Sequence, residues 1–462
     1  MRLLGPTQSA HFVGVGGSGM SPLAEVLLRH GMRVSGSDLK ASPVTEHLVA
    51  LGLEFHEGHA AANVGDVDVV VRSSAVKPAN PEVAEAAARG IPVVLRGELL
   101  AELMRSKYGI AVAGAHGKTT TTSMIGWVLD RAGLDPTVVI GGRLAQFGSS
   151  ARVGRSELFV AEADESDRSF LRLSPVIAVV TNVDHEHLES YASFEDLQQA
   201  FADFAGKVPF HGRVVLCADD ASLRAIAAQH PGRVVRYGLD HESAELGAID
   251  VIGHGFGSQA IVVKRTNARQ VPLGRLSLRV PGRHNVANAL AAIAVALELG
   301  VAYDDAAAAL AEFQGAERRF ERKGEAAGVT VVDDYGHHPT EIAAVLRAAK
   351  AAGPARVVCV FQPHRYTRTA HLLKEFGPAL ALADAVVLTG IYAAGEEPMA
   401  GVTVEALADE VRRARGASVD VVPALADLPA AVARMARPGD LVITLGAGSI
   451  GSIGLKILEA LR

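Results

Sequence analysis

Apolar residues occur along this chain in short runs, each closed by glycine and followed by a stretch with helical spacing. HFVGV reads as a buried strand, and Gly14, Gly16 and Gly19 follow it in G-x-G-x-x-G spacing. Leu23, Val26 and Leu27 then share one face of a predicted helix that stops at Gly31. RVSGSD, ending on Asp38, and VDVVV, running into the polar RSSAVKPANPE, are the next predicted strands. Alternation of strand, helix and strand predicts a parallel sheet with helices packed on it.

The pattern restarts near residue 106. GIAVA predicts a strand, GAHGKTTTT a loop, and Met124, Ile125, Val128 and Leu129 the buried face of the helix after it. ELFVAE, VIAVVTN and RVVLCA read as further strands. Residues 240–280 are richer in β-branched residues and turns, which predicts a small antiparallel addition, and an alanine-rich helix from Val286 to Leu299 closes at Gly300. From residue 316, VTVVDDY, RVVCVF, AVVLTG and DLVITLG alternate with helical segments, and Gly446, Gly448 and Gly451 repeat the G-x-G-x-x-G spacing. The expectation is an α/β protein of three domains. Residues 1–105 form a Rossmann-like domain, 106–315 a central phosphate-loop ATPase domain on a parallel sheet, and 316–462 a second Rossmann-like domain.

Composition narrows the class. Hydrophobic residues make up 49% and charged residues 21% of the 462, which suits a folded chain of several domains rather than a disordered one. A net charge of -6 argues against coating nucleic acid and leaves room for local basic pockets. Cys217 and Cys359 both lie in strand-like runs, as small buried hydrophobes do in a reducing compartment. The first residues do not read as a signal peptide, and no run approaches the ~18 apolar residues of a membrane helix. A soluble, cytoplasmic protein is expected.

The candidate chemistry centres on GAHGKTTTT. A strand, a glycine turn and a helix N-terminus aim backbone N–H groups and partial positive charge at one point, where a phosphate fits. Lys118 then reaches terminal phosphates, and the Thr119 hydroxyl is a ligand for Mg²⁺. Val112 occupies the place of the first glycine in the longer G-x-x-x-x-G-K-[ST] pattern, so the motif is the short form. Two strand ends supply hard oxygen ligands: Glu162, Asp164, Glu165 and Asp167 after one, and Asn182, Asp184 and Glu186, with His185 and His187, after the next. The first glycine signature has a competing reading. Asp38 lies about 20 residues past Gly19, the separation of a ribose-binding acid in NAD-dependent dehydrogenases. A nucleoside diphosphate sugar presents the same pyrophosphate, and a dehydrogenase leaves GAHGKTTTT and EADESD unexplained.

Taken in order, HFVGVGGSGM, SGSD, SSAVKPANPE, GAHGKTTTT, EADESD, TNVDHEHLE, GRHNVAN, RRFE, DDYGHHP, FQPHRYTRT and GAGSIG resemble the Mur ligases of peptidoglycan synthesis, over nearly the whole chain. The resemblance implies that the first domain binds a UDP sugar, the central one ATP, and the last the incoming amino acid. It implies that ATP phosphorylates the lactyl carboxylate of UDP-N-acetylmuramate. The amine of L-alanine attacks the acyl phosphate, and phosphate leaves a tetrahedral intermediate. A ligase adding a recycled tripeptide to the same sugar stays open as an alternative, with FQPHRYTRT favouring the single amino acid.

By resemblance, Lys118, Glu162, His187, His337 and Arg365 are catalytic, and Thr119, Glu162 and His187 surround the metal. Gly114, Ala115, His116, Gly117, Lys118, Thr119 and Thr120 hold the phosphates of ATP, with His284, Asn285 and Asn288 on the nucleotide and Arg319 near its phosphates. Gly16, Gly19, Ser37, Asp38, Ser73 and Ser74 hold the UDP sugar. Asp334, His337 and His338 form a motif of the third domain, and Arg365 and Arg368 grip the amino acid carboxylate, for which a guanidinium fork is suited. The implied partners are small molecules, with no nucleic acid or membrane, in a monomer or dimer. The sequence departs from the family pattern at Ala115, usually threonine, and at Glu186, usually aspartate. SFEDLQQAFADF lacks the modified lysine of sister ligases, so Lys207 is given no role.

Overall fold

A computed structural model describes residues 4–144, 146–186, 190–266, 269–415 and 419–462. The chain divides into two compact units. One comprises Met1–Ile249, Ile261–Leu276 and Ala287–Phe313; the other comprises Asp250–Ala260, Ser277–Val286 and Gln314–Arg462.

The first sheet contains β1 (Ser9–Val13), β2 (Arg33–Asp38), β3 (Glu54–Glu57), β4 (Val69–Arg72) and β5 (Val93–Leu95), ordered β3-β2-β1-β4-β5. All its pairings are parallel. The strand order reverses between β1 and β4, and in such sheets the crevice at that reversal takes ligands. The glycine loop follows β1 and the Ser73–Ser74 turn follows β4, so topology alone puts the two stretches side by side.

The central sheet contains β6 (Tyr108–Ala113), β7 (Thr137–Leu144), β8 (Ser149–Arg152), β9 (Leu158–Glu162), β10 (Ile177–Val180), β11 (Arg213–Cys217), β12 (Val234–Gly238), β13 (Leu246–His254), β14 (Gly257–Thr266) and β15 (Arg269–Leu278). Their order is β15-β14-β13-β12-β11-β10-β6-β9-β7-β8. β6 is flanked by β10 and β9, both parallel to it. β7 and β8 form an antiparallel pair that the apolar pattern does not announce, because TVVIGGRL carries glycines where strand residues are expected.

The third sheet contains β16 (Glu321–Ala326), β17 (Val329–Asp334), β18 (Arg356–Phe361), β19 (Ala385–Leu388), β20 (Val419–Val421) and β21 (Asp440–Leu445), ordered β16-β17-β21-β18-β19-β20. Its alternate residues feed two cores. Val332, Cys359, Phe361, Ile443 and Leu445 face one, and Val331, Val358, Val360 and Val442 face the other. Cys359 is therefore packing material, and burial pushes its thiol up. Burial likewise pushes Cys217 up to about 12. The antiparallel strand β16 went unforeseen, since ERKGEA has no apolar alternation.

Candidate functional site

The helix Lys118–Arg131 begins directly after Gly117, whose φ of +81° lies in the left-handed region that glycine adopts without strain. A Cβ on Gly117 would come within 2.7 Å of the Asn288 amide oxygen, and one on Gly114 would lie 2.1 Å from the Thr181 hydroxyl. Both glycines are required by what packs on them. Thr181 comes from the end of β10 and Asn288 from the helix Arg283–Glu298, so residues far apart in sequence collect at one loop.

From β10, Asn182 clamps the loop. Its side-chain oxygen accepts the His116 N–H at 2.8 Å, its amide nitrogen donates to the His116 carbonyl at 3.0 Å, and its own carbonyl accepts the Ala115 N–H at 3.1 Å. The Thr181 hydroxyl adds a bond to the His116 carbonyl at 2.6 Å. Two of the residues expected at the phosphate loop thus have their N–H groups engaged within the protein. The N–H groups of Ala115 and His116 face Asn182, and the His116 imidazole bonds to Asp184 at 2.8 Å. The donors that the helix's own ladder does not use are those of its first turn, Lys118, Thr119 and Thr120.

From β9 comes the acidic stretch. Glu162 ends the strand, accepts the Thr119 hydroxyl at 3.1 Å and accepts the Gly141 N–H at 2.8 Å. Glu165, which is buried, accepts the Lys118 ammonium at 2.8 Å. That ammonium also donates to the carbonyls of Gly114 and Ala115, at 2.6 and 3.1 Å. Burial opposes its charge, but Glu165, Glu162 and Asp164 outweigh burial and hold Lys118 above its ordinary range. Lys118 is a fixed cation at the mouth of the helix. The Thr119 hydroxyl and the Glu162 carboxylate are adjacent hard oxygen donors of the kind a Mg²⁺ ion takes, so this pair fits the metal that the sequence implies. His187, expected beside them, lies outside the described residues.

The remaining acidic candidates have other partners. Asp164 and Asp167 both bond to Arg96 of the first domain. Asp184 holds His116, and the His185 ring stacks on Phe194 at 4.0 Å. Arg96 carried no signal in the sequence, because its partners are 68 and 71 residues away.

On the helix Arg283–Glu298, Asn288 is the residue against Gly117. Asn285 donates its side-chain amide to the Pro281 carbonyl at 2.7 Å. Burial, with the Arg319 guanidinium, pushes His284 down to about 4, so it is neutral near pH 7.

In the first sheet the Asp38 carboxylate accepts N–H groups from Gly16 at 2.9 Å and Leu39 at 2.7 Å, which ties it to the glycine loop. Ser37 does not stand open to a ligand: it is fully buried, donates to Glu82 at 2.6 Å and meets the His59 ring at 3.0 Å. Ser73 and Ser74 occupy the turn after β4, where Arg72 donates to the Val76 carbonyl at 2.8 Å. Arg96 lies against Gly19, and a Cβ there would be 2.6 Å from its guanidinium.

In the second compact unit, the strand ends of β17, β21, β18 and β19 lie along one edge. Asp334 accepts the Phe320 and Gly336 N–H groups at 2.7 Å each, so it fixes the RRFE turn; burial raises it to about 6. His338 caps the helix Pro339–Ala351, accepting the Thr340 N–H at 3.4 Å, while Glu341 accepts the N–H groups of His337 and His338. A capping role was not foreseen for His338. Arg319 lies 3.7 Å from Glu341 and 5.3 Å from the centre of the Tyr335 ring. His337 and His364 have ring centres 5.9 Å apart, and Arg368 bonds to His364 at 3.2 Å. Arg365 adopts φ +69°, held by a bond from its N–H to the Tyr392 carbonyl at 2.8 Å. Burial first, then His337, Arg368 and Arg365, push His364 down to about 3, so it stays neutral among cations. The edge thus gathers two guanidinium groups and two imidazoles.

The terminal glycine signature is filled by the protein itself. A Cβ on Gly451 would meet the Arg318 guanidinium at 2.5 Å, and the Gln362 side-chain oxygen accepts the Ile450 N–H at 3.0 Å.

Comparison with known proteins accounts for this arrangement. Residues 9–108 match the model of the Mur ligase family catalytic domain, 112–296 the Mur ligase middle domain, and 318–448 the Mur ligase glutamate ligase domain. A UDP-N-acetylmuramate–L-alanine ligase of Anaeromyxobacter sp. (strain Fw109-5) is 52% identical, over 98% of this chain and 97% of its own. One of Geobacter sp. (strain M21) is 50% identical, over 100% and 99%. The solved UDP-N-acetylmuramate-alanine ligase of Thermotoga maritima superposes with a TM-score of 0.83 at 30% identity, over 98% of both chains. A murein peptide ligase of Psychrobacter arcticus superposes at 0.73, with 27% identity over 98% of both.

Proposed function

The chain belongs to the Mur ligase family, and we propose that it joins L-alanine to the lactyl carboxylate of UDP-N-acetylmuramate with conversion of ATP to ADP and phosphate. The observation that carries the reading is the identity of 50–52%, over essentially whole chains, to ligases of that name. The site residues supply the chemistry.

A carboxylate is a poor electrophile, and phosphorylation gives it a leaving group. Lys118, held charged beside the loop, neutralises the phosphoryl group during transfer, and the first-turn N–H groups of Lys118, Thr119 and Thr120 orient it. Thr119 and Glu162 would hold Mg²⁺, which supplies further neutralisation of phosphate charge when bound. Asn288 and His284 serve the nucleotide. Arg365 and Arg368 take the alanine carboxylate, and His337 stands beside them to receive the proton that the attacking amine sheds. The UDP sugar lies on the Gly16–Gly19 loop with Ser73 and Ser74 across the crevice. The three domains are 1–105, 106–315 and 316–462. Among the described residues no helix is long and apolar enough to cross a membrane. The reaction is assigned to the cytoplasm.

Phosphate release measured with ATP, UDP-N-acetylmuramate and, in turn, L-alanine, glycine, L-serine and the tripeptide tests this reading. L-alanine should stimulate release most. Stimulation by the tripeptide alone would make the chain a recycling ligase instead.

A further inference from the structure

Arg96 opens the helix Arg96–Arg105 at the end of β5, and its guanidinium touches two parts of the molecule that the reaction uses separately. On one side it packs against Gly19: a Cβ there would fall 2.6 Å from Nη1 and 3.2 Å from Cζ. Gly19 is the last glycine of the loop assigned to the UDP sugar. On the other side Nη2 bonds to Asp164 and, at 3.4 Å, to Asp167.

The two aspartates are shared in the same way. Asp164 gives one oxygen to the Ser166 N–H at 2.9 Å and the other to Arg96; Asp167 gives one to the Ser169 N–H at 3.0 Å and the other to Arg96. The backbone therefore fixes both carboxylates, and the guanidinium is the member free to exchange partners. The same acidic turn carries Glu162, bonded to Thr119, and Glu165, bonded to Lys118. Only glycine at position 19 lets the guanidinium approach so closely. A phosphate seated on that loop meets it directly, and a guanidinium binds phosphate oxygens as well as carboxylate ones.

We infer that Arg96 is a positioning residue exchanged between the pyrophosphate of the UDP sugar and the Asp164–Asp167 turn, so that filling the sugar site alters the charge around Lys118 and Thr119. In the empty protein Arg96 neutralises the turn. With a pyrophosphate on the Gly16–Gly19 loop it turns toward the phosphates, and the charge of Asp164 is left less compensated beside the lysine and the metal-binding pair. The two ligands thereby become coupled through one side chain. The inference rests on the reading of the first glycine loop as the UDP-sugar site.

The test is calorimetric binding of UDP-N-acetylmuramate, and of UDP alone, to the full chain and to the variants Arg96→Gln and Asp167→Asn, each with and without saturating ADP and Mg²⁺. Wild-type protein should bind both probes, with an affinity that changes severalfold when ADP and Mg²⁺ are present. Arg96→Gln should weaken both probes about ten- to hundred-fold, the scale of a lost charge-assisted hydrogen bond, and should abolish the dependence on ADP. Asp167→Asn keeps the acceptor for the Ser169 N–H but loosens the grip on Arg96, so it should tighten UDP binding severalfold. A purely structural bridge predicts weakening in both variants. Equal UDP affinity in wild type and Arg96→Gln, or weakening in Asp167→Asn, overturns the exchange. Failure of wild-type protein to bind either probe overturns the assignment of the loop itself.

Discussion

Replacing Gly114 with alanine tests whether the phosphate loop is fixed by its neighbours or merely tolerates them. The residue has φ +131°, a conformation that L side chains rarely adopt. The added methyl would lie 2.1 Å from the Thr181 hydroxyl oxygen and 3.0 and 3.1 Å from the backbone nitrogens of Thr181 and Asn182. Backbone strain contributes about 1–3 kcal/mol. Overpacking adds roughly 1–3 kcal/mol, and turning Thr181 away forfeits its bond to the His116 carbonyl, about 1 kcal/mol more. The sum, about 3–5 kcal/mol after partial relaxation, is a large share of the ~5–15 kcal/mol that stabilises an ordinary domain. The single tryptophan, Trp127, sits on the helix that the loop starts and donates to the Ala309 carbonyl at 2.8 Å, so its fluorescence follows unfolding of this region. Urea unfolding should show a lower midpoint for Gly114→Ala, and calorimetry a loss of ADP affinity of about tenfold or more. Adding Thr181→Ala should recover only part of both, since the two backbone nitrogens remain in the way. A Gly114→Ala protein that unfolds like wild type and binds ADP within twofold would refute the reasoning.

Lys118→Ala should lower phosphate release by about 100- to 1,000-fold or more while UDP-N-acetylmuramate affinity changes far less, severalfold at most, because the lysine lies on the phosphate loop and not on the first glycine loop; turnover near wild type would remove Lys118 from the mechanism. Arg365→Ala should raise the L-alanine KM about tenfold or more, the ATP KM staying within threefold, and equal rises in both would argue against a carboxylate grip. Glu82 is fully buried, and although burial raises it, the His11 imidazole 3.8 Å away and bonds from Ser37 and Asn63 bring it down to about 2 from its ordinary 4.5. A depressed folded-state value means stability that is present above pH 4.5 and is lost as pH falls toward 2, about 3 kcal/mol for this shift. Urea unfolding across that window should show a shallower loss for Glu82→Gln than for wild type, and identical slopes would sink the account.

What could be read in the chain was what neighbours in sequence decide. The strands carrying the motifs follow from apolar runs closed by glycine, and the phosphate loop follows from a strand, a turn and an amphipathic helix in succession. What could not be read was how side chains divide their bonds among distant partners. Asn182 looked like one more oxygen ligand, yet it is committed to the His116 peptide, because β10 lies beside β6 and brings an amide within reach of one. Ser37 looked like a sugar contact, yet Glu82 arrives from 45 residues away and buries it. His338 was expected at a ligand, and the structure adds a second role for it as the cap of the helix Pro339–Ala351.

The glycine signatures carry the general point. The sequence presents G-x-G-x-x-G twice, after β1 and after β21, and both were legible as places where something approaches the backbone closely. In the first, the approaching groups at Gly16 and Gly19 are the Asp38 carboxylate and the Arg96 guanidinium, a charged pair around a loop that can accept a phosphate. In the second, Gln362 and Arg318 lie against the loop, Gln362 accepting the Ile450 N–H and Arg318 donating to the Gly446 carbonyl. A missing Cβ says that a close neighbour exists, not whether that neighbour is a ligand or the protein itself. The decision lies with residues such as Arg96 and Arg318 that come from elsewhere in the chain. Two loops of identical spacing therefore have different neighbours: one is ringed by a charged pair, the arrangement proposed above to receive a phosphate, and the other is tied to the strand ends that precede His364 and Arg365.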